Sequence, residues 1–418
     1  MAALQLPFRE RAFSSLVGHS IRLDMEARPN SDVQRLTLHV AISSFASALS
    51  SVFSVVFLVR AGLTPTQVFL AAGAFVAARL VMRPVVLAVA PVMGVRRALI
   101  VGIVLNAASC PMLAPVHGVG LALAAYIAVG ALGQAFYWTC FHIFFSAHSD
   151  ADRRGSQLAF LQVLSALAAL FGPAIGGVLL TRAGPWVAFG TAALVALLSV
   201  LPILRIAEPR IERAVPDGAY AAAKNGAMVY FADGWMQVSL TTAWSIVMFQ
   251  GLGGRYDSFG GTLSLAGLAG AVGGMVLGRL IDKGHARRAL WLNAFILAAG
   301  LVLRSITFGH AGAVIAVAIG TTLLSGLYMP AWMTPVYNEA RISPCLLRFQ
   351  FAAESGWDMG GMLAGALAAA MCYCGLPVEA AILLALPMVP VQALLLERSY
   401  ALQFPNGLSA AAAAMAEG

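Results

Sequence analysis

Residues 278–288 read GRLIDKGHARR and place one acid, Asp282, among basic side chains in an otherwise very apolar sequence. One apolar run, 263–276, precedes this stretch, and a second, 289–303, follows it. A short charged segment between two long apolar ones is typical of a loop that joins two membrane-spanning helices. The stretch therefore predicts a helix–loop–helix unit of a membrane protein.

The composition of the whole chain agrees with this interpretation. Hydrophobic residues make up 60% of the 418 residues, charged residues only 11%, and the mean hydropathy is +0.84. The apolar runs are long enough to cross a hydrocarbon layer of about 30 Å as helices, and they are too long and too uniformly apolar for the strands of a membrane barrel. Twelve spanning helices are predicted, at 36–59, 66–91, 98–116, 119–147, 156–181, 186–204, 225–250, 259–281, 287–308, 311–335, 347–374 and 376–396.

Basic residues predict the orientation of these spans. If the N-terminus is cytoplasmic, most of the 26 Lys and Arg residues fall in cytoplasmic segments, and the opposite face receives Arg60, Arg182, Arg255 and Arg304. The positive-inside rule then places both termini in the cytoplasm, and we expect a multi-pass protein of a bacterial inner membrane. The formal net charge of +8 follows from this topology, so we do not interpret it as a nucleic-acid-binding surface.

An internal repeat divides the chain into two halves. The tetrapeptide RRAL occurs at 96–99 and again at 287–290, each time between the second and third predicted span of a half. Tyr137 and Tyr328, both in a fourth predicted span, are the same number of residues apart. A duplicated six-helix unit explains both observations. The predicted domains are a cytoplasmic arm at 1–35, a bundle at 36–204, a linker at 205–223, a bundle at 224–397 and a cytoplasmic tail at 398–418; we expect a monomer.

The quoted stretch resembles the signature loop of the major facilitator superfamily, which follows the second helix of a half. The motif runs G-x-L-x-D, a basic residue, a glycine and a basic pair, here Gly278, Leu280, Asp282, Lys283, Gly284, Arg287 and Arg288. The first-half loop keeps Gly94, Arg96 and Arg97 but has Pro91 where the acid would stand. The resemblance implies an all-α integral membrane protein of two pseudo-symmetric six-helix bundles, with these loops as a cytoplasmic gate. The alternative for the loop is a charged, solvated stop between spans.

A second motif lies in the fifth predicted span. The sequence FGPAIGG supplies Gly172, Pro173, Gly176 and Gly177, and it resembles the G-P-x-x-G-G core found in proton-linked exporters of the same superfamily. The resemblance implies export and a helix that rocks between the halves, because small residues allow close helix approach and proline bends a span. Ordinary small-residue packing is the alternative.

Polar residues recur at helical spacing in the first and fourth predicted spans of each half, and in the resembled fold these spans line the central cavity. The first span carries a serine stripe, Ser43, Ser47, Ser50 and Ser54. The predicted substrate cavity comprises Gln134, Trp138, His142, Tyr230, Asp233, Gln237, Thr241, Trp244, Ser325, Tyr328 and Trp332. Hydrogen bonding between helices could account for any single stripe, but four together favour a polar pathway.

Ionisable residues inside spans are costly and therefore point to function. The spans of the first half contain no acid, and their buried charge is positive, Arg79 and Arg83, one helical turn apart; the second half contains the acids Asp233, Glu354 and Asp358. A buried carboxyl group can take up and release a proton, so Asp233 is the first candidate for proton coupling and Glu354 or Asp358 the second. Alternatively, Arg79 pairs permanently with one of these acids.

The sequence gives little support to catalysis. The histidines are scattered without a nucleophile partner, and neither a metalloprotease motif nor an ATP-binding loop is present, so we predict a transporter that needs no metal or cofactor. The leading hypothesis is alternating-access, proton-driven export of a small amphipathic or aromatic molecule. Import of a sugar or organic anion, with Arg79 as the anchor of an anion, is the first alternative. A lipid-handling or partner-binding protein that carries no solute is the other.

Overall fold

The computed structural model describes residues 31–148, 154–209, 215–281, 286–324 and 328–403, and this part of the chain contains helices but no β-strand. The first half is formed by α1 (Ser31–Ser50), α2 (Ser54–Arg60), α3 (Pro65–Met93), α4 (Val95–Met112), α5 (Leu121–His148), α6 (Arg154–Arg182), α7 (Gly184–Leu198) and α8 (Val200–Ile203). A short helix, α9 (Ala219–Ala222), lies in the linker. The second half is formed by α10 (Lys224–Gly251), α11 (Tyr256–Ile281), α12 (Ala286–Ser305), α13 (Ala311–Leu324), α14 (Tyr328–Ile342), α15 (Leu346–Tyr373) and α16 (Met388–Gln403).

Six helical segments of the described chain are long and apolar enough to cross a membrane. They are Ser31–Arg60, Pro65–Met93, Val95–Met112, Leu121–His148, Pro185–Ile203 and Val378–Ser399. Shorter apolar helices occupy Leu170–Arg182, Leu290–Ser305 and Ala311–Leu324. The protein is therefore a helical, multi-pass membrane protein, while the number of twelve crossings and the cytoplasmic position of the termini stay predictions.

Several helix boundaries differ from the predicted spans for local reasons. The first helix begins earlier, at Ser31, and a 3₁₀ turn at Ser51–Phe53 separates α1 from α2. The last predicted span begins as a 3₁₀ helix, Val378–Ala385, before α16. Gly94 separates α3 from α4 with a φ of +93°, a backbone conformation that favours glycine. These interruptions depend on backbone geometry that hydropathy does not record.

The start of α3 shows how the sequence sets one of these boundaries. The Thr64 side chain accepts a hydrogen bond from the Gln67 backbone N–H at 3.3 Å, and the Gln67 side chain accepts one from the Thr64 N–H at 2.9 Å. Pro65 occupies the first turn, where its missing N–H costs no hydrogen bond. This capping box fixes the end of the helix that carries Arg79 and Arg83.

The two halves meet along two helix pairs, α3 with α15 and α6 with α11. Small residues allow the close approach. A methyl group built on Gly177 would fall on the backbone carbonyl oxygen of Tyr256, and one built on Gly260 would fall on that of Pro173. The exporter-like motif in α6 therefore lies at the interface between the halves.

The repeated tyrosines make equivalent contacts in the two halves. The Tyr137 hydroxyl lies 3.2 Å from His39 Nε2 on α1, the first long helix of its half. The Tyr328 hydroxyl donates to Asp233 Oδ1 at 2.6 Å on α10, the first long helix of the other half. This symmetry is what a duplicated unit would produce, and the domain boundaries proposed from the repeat stay a prediction.

Candidate functional site

Four buried charged residues join the halves where α3 faces α15. Arg79 Nε donates to Asp358 Oδ1 at 2.5 Å, and Arg83 Nε donates to Asp358 Oδ2. Arg83 Nη2 donates to Glu354 Oε2 at 2.8 Å. Each pair of like charges is one turn apart on its own helix, so two cations face two carboxylates and the cluster is neutral. The Arg79–Asp358 pair, one of the alternatives left open by the sequence, is present.

Neighbouring side chains accept further hydrogen bonds from the two guanidinium groups of this cluster. Arg79 Nη1 donates to Gln134 Oε1 at 2.9 Å, and Arg83 Nη1 donates to Thr139 Oγ1 at 3.0 Å, both on α5. The Arg79 guanidinium also lies over the Trp357 ring, 4.5 Å from its centroid. A buried ion pair is better tolerated when its polar groups make further hydrogen bonds, and each guanidinium here bonds through all three of its nitrogens.

His142 extends the cluster toward the end that we predict to be cytoplasmic. Its Nε2 lies 3.0 Å from Glu354 Oε1, and its Nδ1 lies 2.5 Å from the Tyr337 hydroxyl on α14. A neutral imidazole that donates to the carboxylate accepts from the tyrosine, which satisfies both ring nitrogens. His142 therefore links α5 of the first half to α14 and α15 of the second.

Asp233 is buried in a different environment, with only neutral donors around it. Tyr328 Oη donates to Oδ1 at 2.6 Å, and Trp357 Nε1 donates to Oδ2 at 2.8 Å. Among the described residues, no Arg, Lys or His nitrogen lies within 4.0 Å of its carboxylate. Protonating Asp233 therefore leaves no cation unpaired, whereas protonating Asp358 would leave two guanidinium groups facing one carboxylate.

The Tyr328 hydroxyl has one proton but two oxygen neighbours. Gln392 Oε1 lies 3.0 Å from it, while the buried Gln392 Nε2 has no hydrogen-bond partner in the described structure. Exchanging the amide oxygen and nitrogen lets Gln392 donate to the tyrosine, which then donates to Asp233. In this orientation of the amide, the single Tyr328 proton is directed to Asp233.

The predicted cavity residues fall into two cavities and one packed cluster. A cavity of about 510 Å³ between the halves is lined by Gln237, Thr241, Trp244 and Tyr328, together with Ser51 and Ser54. A smaller one of about 110 Å³ within the first half is lined by the serine stripe, Gln134 and Trp138. Neither is lined by His142, Tyr230, Asp233 or Trp332. Ser325 lies outside the described residues.

Aromatic side chains of the two halves pack against each other toward both ends of the bundle. Phe53 and Phe259 approach to 5.7 Å between ring centroids at the predicted outer end. Phe145 and Tyr337 approach to 5.2 Å at the predicted cytoplasmic end, and Tyr230 lies 5.1 Å from Trp332 nearby. Tyr230 and Trp332 are buried in this aromatic packing.

Arg304 is a cavity residue that sequence analysis missed, because we assigned it to the outer face by its position near the end of a span. It lines the 510 Å³ cavity from α12, beside Trp244. Its spacing from Leu297 and Leu301, which line the same cavity, was the available signal. Arg79, our earlier candidate for anchoring an anion, is instead occupied by Asp358.

The predicted gate is only partly covered by the structure. Asp282 and Lys283 lie outside the described residues, as do the side chains of Arg287 and Arg288; Gly278 lies in α11. In the first half, Arg97 is exposed, while the Arg96 backbone N–H donates to Glu208 Oε1 at 3.1 Å and its Nη1 donates to the Ile206 carbonyl at 3.0 Å. Glu208, from the linker, thus supplies the carboxylate that Pro91 does not.

Comparisons with known proteins give a family and a fold. The family model described as Major Facilitator Superfamily matches residues 36–343, and a comparison with curated protein sequences gave no match. The human organic anion transporter MFSD10 (TETRAN) is a similar structure, with a TM-score of 0.65 at 14% identity over 88% of this chain and all of that one (100%).

The fucose:proton symporter FucP of E. coli is similar as well. One structure of a FucP variant gives a TM-score of 0.58 at 14% identity over 88% of this chain and 98% of that one. A FucP structure in the outward conformation gives 0.62 at 15% identity over 88% and 99%. At these identities the likeness concerns the fold alone.

Proposed function

The chain belongs to the Major Facilitator Superfamily, whose members are membrane transporters of small molecules, and we propose that it exports a small amphipathic or aromatic molecule by proton-driven alternating access. The observation that carries this proposal is Asp233, a buried acid whose partners are neutral and whose partner Tyr328 lines the 510 Å³ cavity. The bilayer we propose is a bacterial inner membrane.

The Tyr328 side chain supports a direct connection between the proposed substrate cavity and the proposed proton carrier, Asp233. Tyr328 lines the 510 Å³ cavity and donates its hydroxyl proton to Asp233. A ligand that contacts Tyr328 therefore changes the hydrogen bonding of the coupling acid. Gln237, Thr241 and Trp244 would orient the ligand by amide, hydroxyl and ring contacts. Transport follows when proton and substrate favour different conformations of the halves.

Two further observations bear on direction. The motif in α6 packs against α11 through Gly177, which supports a rocking interface of the exporter type. Arg304, a cation on the cavity wall, favours a second candidate, import of an organic anion. The fold of MFSD10, an organic anion transporter, and of FucP, a proton symporter, is compatible with either candidate.

Replacing Asp233 with Asn tests the coupling role. A screen by thermal stabilisation first supplies a substrate, because a ligand raises stability by RT ln(1 + [L]/Kd). In proteoliposomes with an imposed pH gradient, Asp233→Asn should bind this substrate and exchange it by counterflow but fail to move it uphill, because the side chain no longer changes charge. Asp217→Asn, at an exposed linker acid, is the matched control and should transport normally.

Two results would contradict the proposal. Uphill transport by Asp233→Asn at the rate of the unchanged protein would exclude this acid as the proton carrier. A collapse in folded yield would assign Asp233 a structural role, since an acid that is needed only for charge exchange tolerates an amide of the same shape.

A further inference from the structure

Arg304 lies one residue before the end of α12 and reaches toward the cavity between the halves. Its Nε and Nη2 donate to the same acceptor, Thr321 Oγ1, at 3.0 and 2.7 Å. The Thr321 hydroxyl in turn donates a hydrogen bond to the Val317 carbonyl oxygen at 2.7 Å. The guanidinium carbon lies 5.4 Å from the Trp244 ring centroid. Arg304 is thus held in place by a neutral hydroxyl and an aromatic face.

The positive charge of Arg304 is not neutralised within the described structure. No carboxylate oxygen of these residues lies within 4.0 Å of its guanidinium, and Nη1 has no hydrogen-bond partner among them. Arg79 and Arg83, also on transmembrane helices, are both paired with acids. An unpaired cation in a low-dielectric setting is costly, so its retention calls for a bound counter-charge.

The cavity has the size and the lining to hold such a counter-charge on an apolar body. Its volume, about 510 Å³, lies within the usual range of small-molecule sites, roughly 300–1,000 Å³. Leu240, Leu297 and Leu301 provide an apolar wall, and Trp244 provides a ring beside the guanidinium. No acid contributes to the described lining, so nothing there repels an anion.

We propose that this cavity binds a small aromatic anion, with its carboxylate on Arg304 and its ring against Trp244. The inference deepens the proposed function and rests on it for the transport step, but binding itself requires no gradient. Arginine presents parallel N–H groups that match a carboxylate in a bidentate way. A lipid headgroup phosphate offers the same anionic chemistry, because Arg304 lies near the end of its helix.

Binding of paired probes to the detergent-purified full chain tests the proposal. The probes are benzoate, phenylacetate and indole-3-acetate, each compared with its neutral amide, and the readout is the shift in melting temperature with concentration. At least one carboxylate should stabilise the protein while its amide does not. In Arg304→Gln the affinity for this carboxylate should fall by roughly 10- to 100-fold, the range expected for a hydrogen bond to a charged group.

Two further variants make the result specific. Arg182→Gln removes an exposed arginine at the same predicted side of the membrane and should leave carboxylate binding unchanged. Trp244→Leu keeps the Arg304 guanidinium in place but should weaken the binding of the aromatic carboxylates. Arg304→Gln itself should fold, because its removal leaves no acid unpaired; a loss of folding in Arg304→Gln but not in Trp244→Leu would overturn the proposal by assigning Arg304 a structural role.

The remaining outcomes also decide the question. The anion site is overturned if none of the carboxylates stabilises the protein. It is also overturned if a carboxylate stabilises Arg304→Gln as much as the unchanged protein. Stabilisation by phosphatidylglycerol micelles but not by the soluble carboxylates, lost in Arg304→Gln, identifies Arg304 as a lipid contact and overturns it as well. Carboxylate binding without proton-driven transport would support the anion site and contradict the proposed function. Uphill transport of a cation without carboxylate binding would support proton-driven transport and overturn the anion site.

Discussion

Removing the charge of Asp358 should destabilise the protein more than removing that of Asp233, although both acids are buried. Asp358 accepts hydrogen bonds from both Arg79 and Arg83, so Asp358→Asn leaves two guanidinium groups facing Glu354 alone. Deleting one partner of a buried ion pair costs about 3–5 kcal/mol. We take this figure for the whole cluster, since hydrogen bonds that share one acceptor group do not add independently.

Asp233→Asn should cost less, since no cation loses its partner. The new amide keeps one oxygen acceptor for either Tyr328 or Trp357, and the other donor loses its bond at a cost of about 1–3 kcal/mol. Arg255→Gln provides a surface control. It breaks a pair with Asp257 in which the arginine side chain is 67% exposed, and it should leave the stability almost unchanged.

A compensating double variant separates charge balance from side-chain identity. Arg79→Met combined with Asp358→Leu leaves Arg83 paired with Glu354 and restores neutrality, so it should recover most of the stability lost in Asp358→Asn. The amount of folded protein that survives heating in detergent, quantified by size-exclusion chromatography, measures the stability of each variant. Equal losses for Asp358→Asn and Asp233→Asn, or a double variant less stable than Asp358→Asn, would refute the charge-balance argument.

Two other predictions concern the interface and the loop of the first half. Gly177→Ala should slow transport or lower the folded yield, since the added methyl group meets a backbone carbonyl of α11. Gly190→Ala, with open space around its position, should behave normally. Equal behaviour of the two variants would contradict close packing at Gly177. Glu208→Gln should weaken the contact of the linker with Arg96 by no more than about 1 kcal/mol, because both side chains are partly exposed. It should also raise the rate at which a protease cleaves the linker. An unchanged cleavage rate would rule out a role for Glu208 in holding the linker in place.

The all-helical membrane class was predictable because its cause is local. Long apolar runs require helices in a membrane, and the RRAL repeat with its paired tyrosines indicates two related halves. The family predicted from the 278–288 motif is confirmed by the family model, although the gate in that motif stays a prediction. Boundaries were less accurate where backbone geometry interrupts an apolar run, as at Ser51–Phe53.

The pairing of the charges was not predictable from one sequence. Asp358 lies more than half the chain away from Arg79, and spacing along a helix shows which residues share a face but not which distant helix they meet. Glu208 was missed because it belongs to the linker and reaches the loop after α3 only in the folded chain. Arg304 was missed because a basic residue near the end of a span normally reaches toward the membrane surface.

Trp357 connects the unpaired acid to the paired ones. Its indole N–H donates to Asp233 at 2.8 Å, while its ring lies against the Arg79 guanidinium that binds Asp358 across the interface. A carboxylate accepts this hydrogen bond more strongly than a carboxyl group does, so a change of proton at Asp233 acts on the position of the ring. A cation–π contact is worth about 0.5–2 kcal/mol, and 1.4 kcal/mol changes an equilibrium tenfold. Loss of this contact would therefore bias two conformations of the halves by several-fold, so the proposed protonation of Asp233 would act across the interface through Trp357.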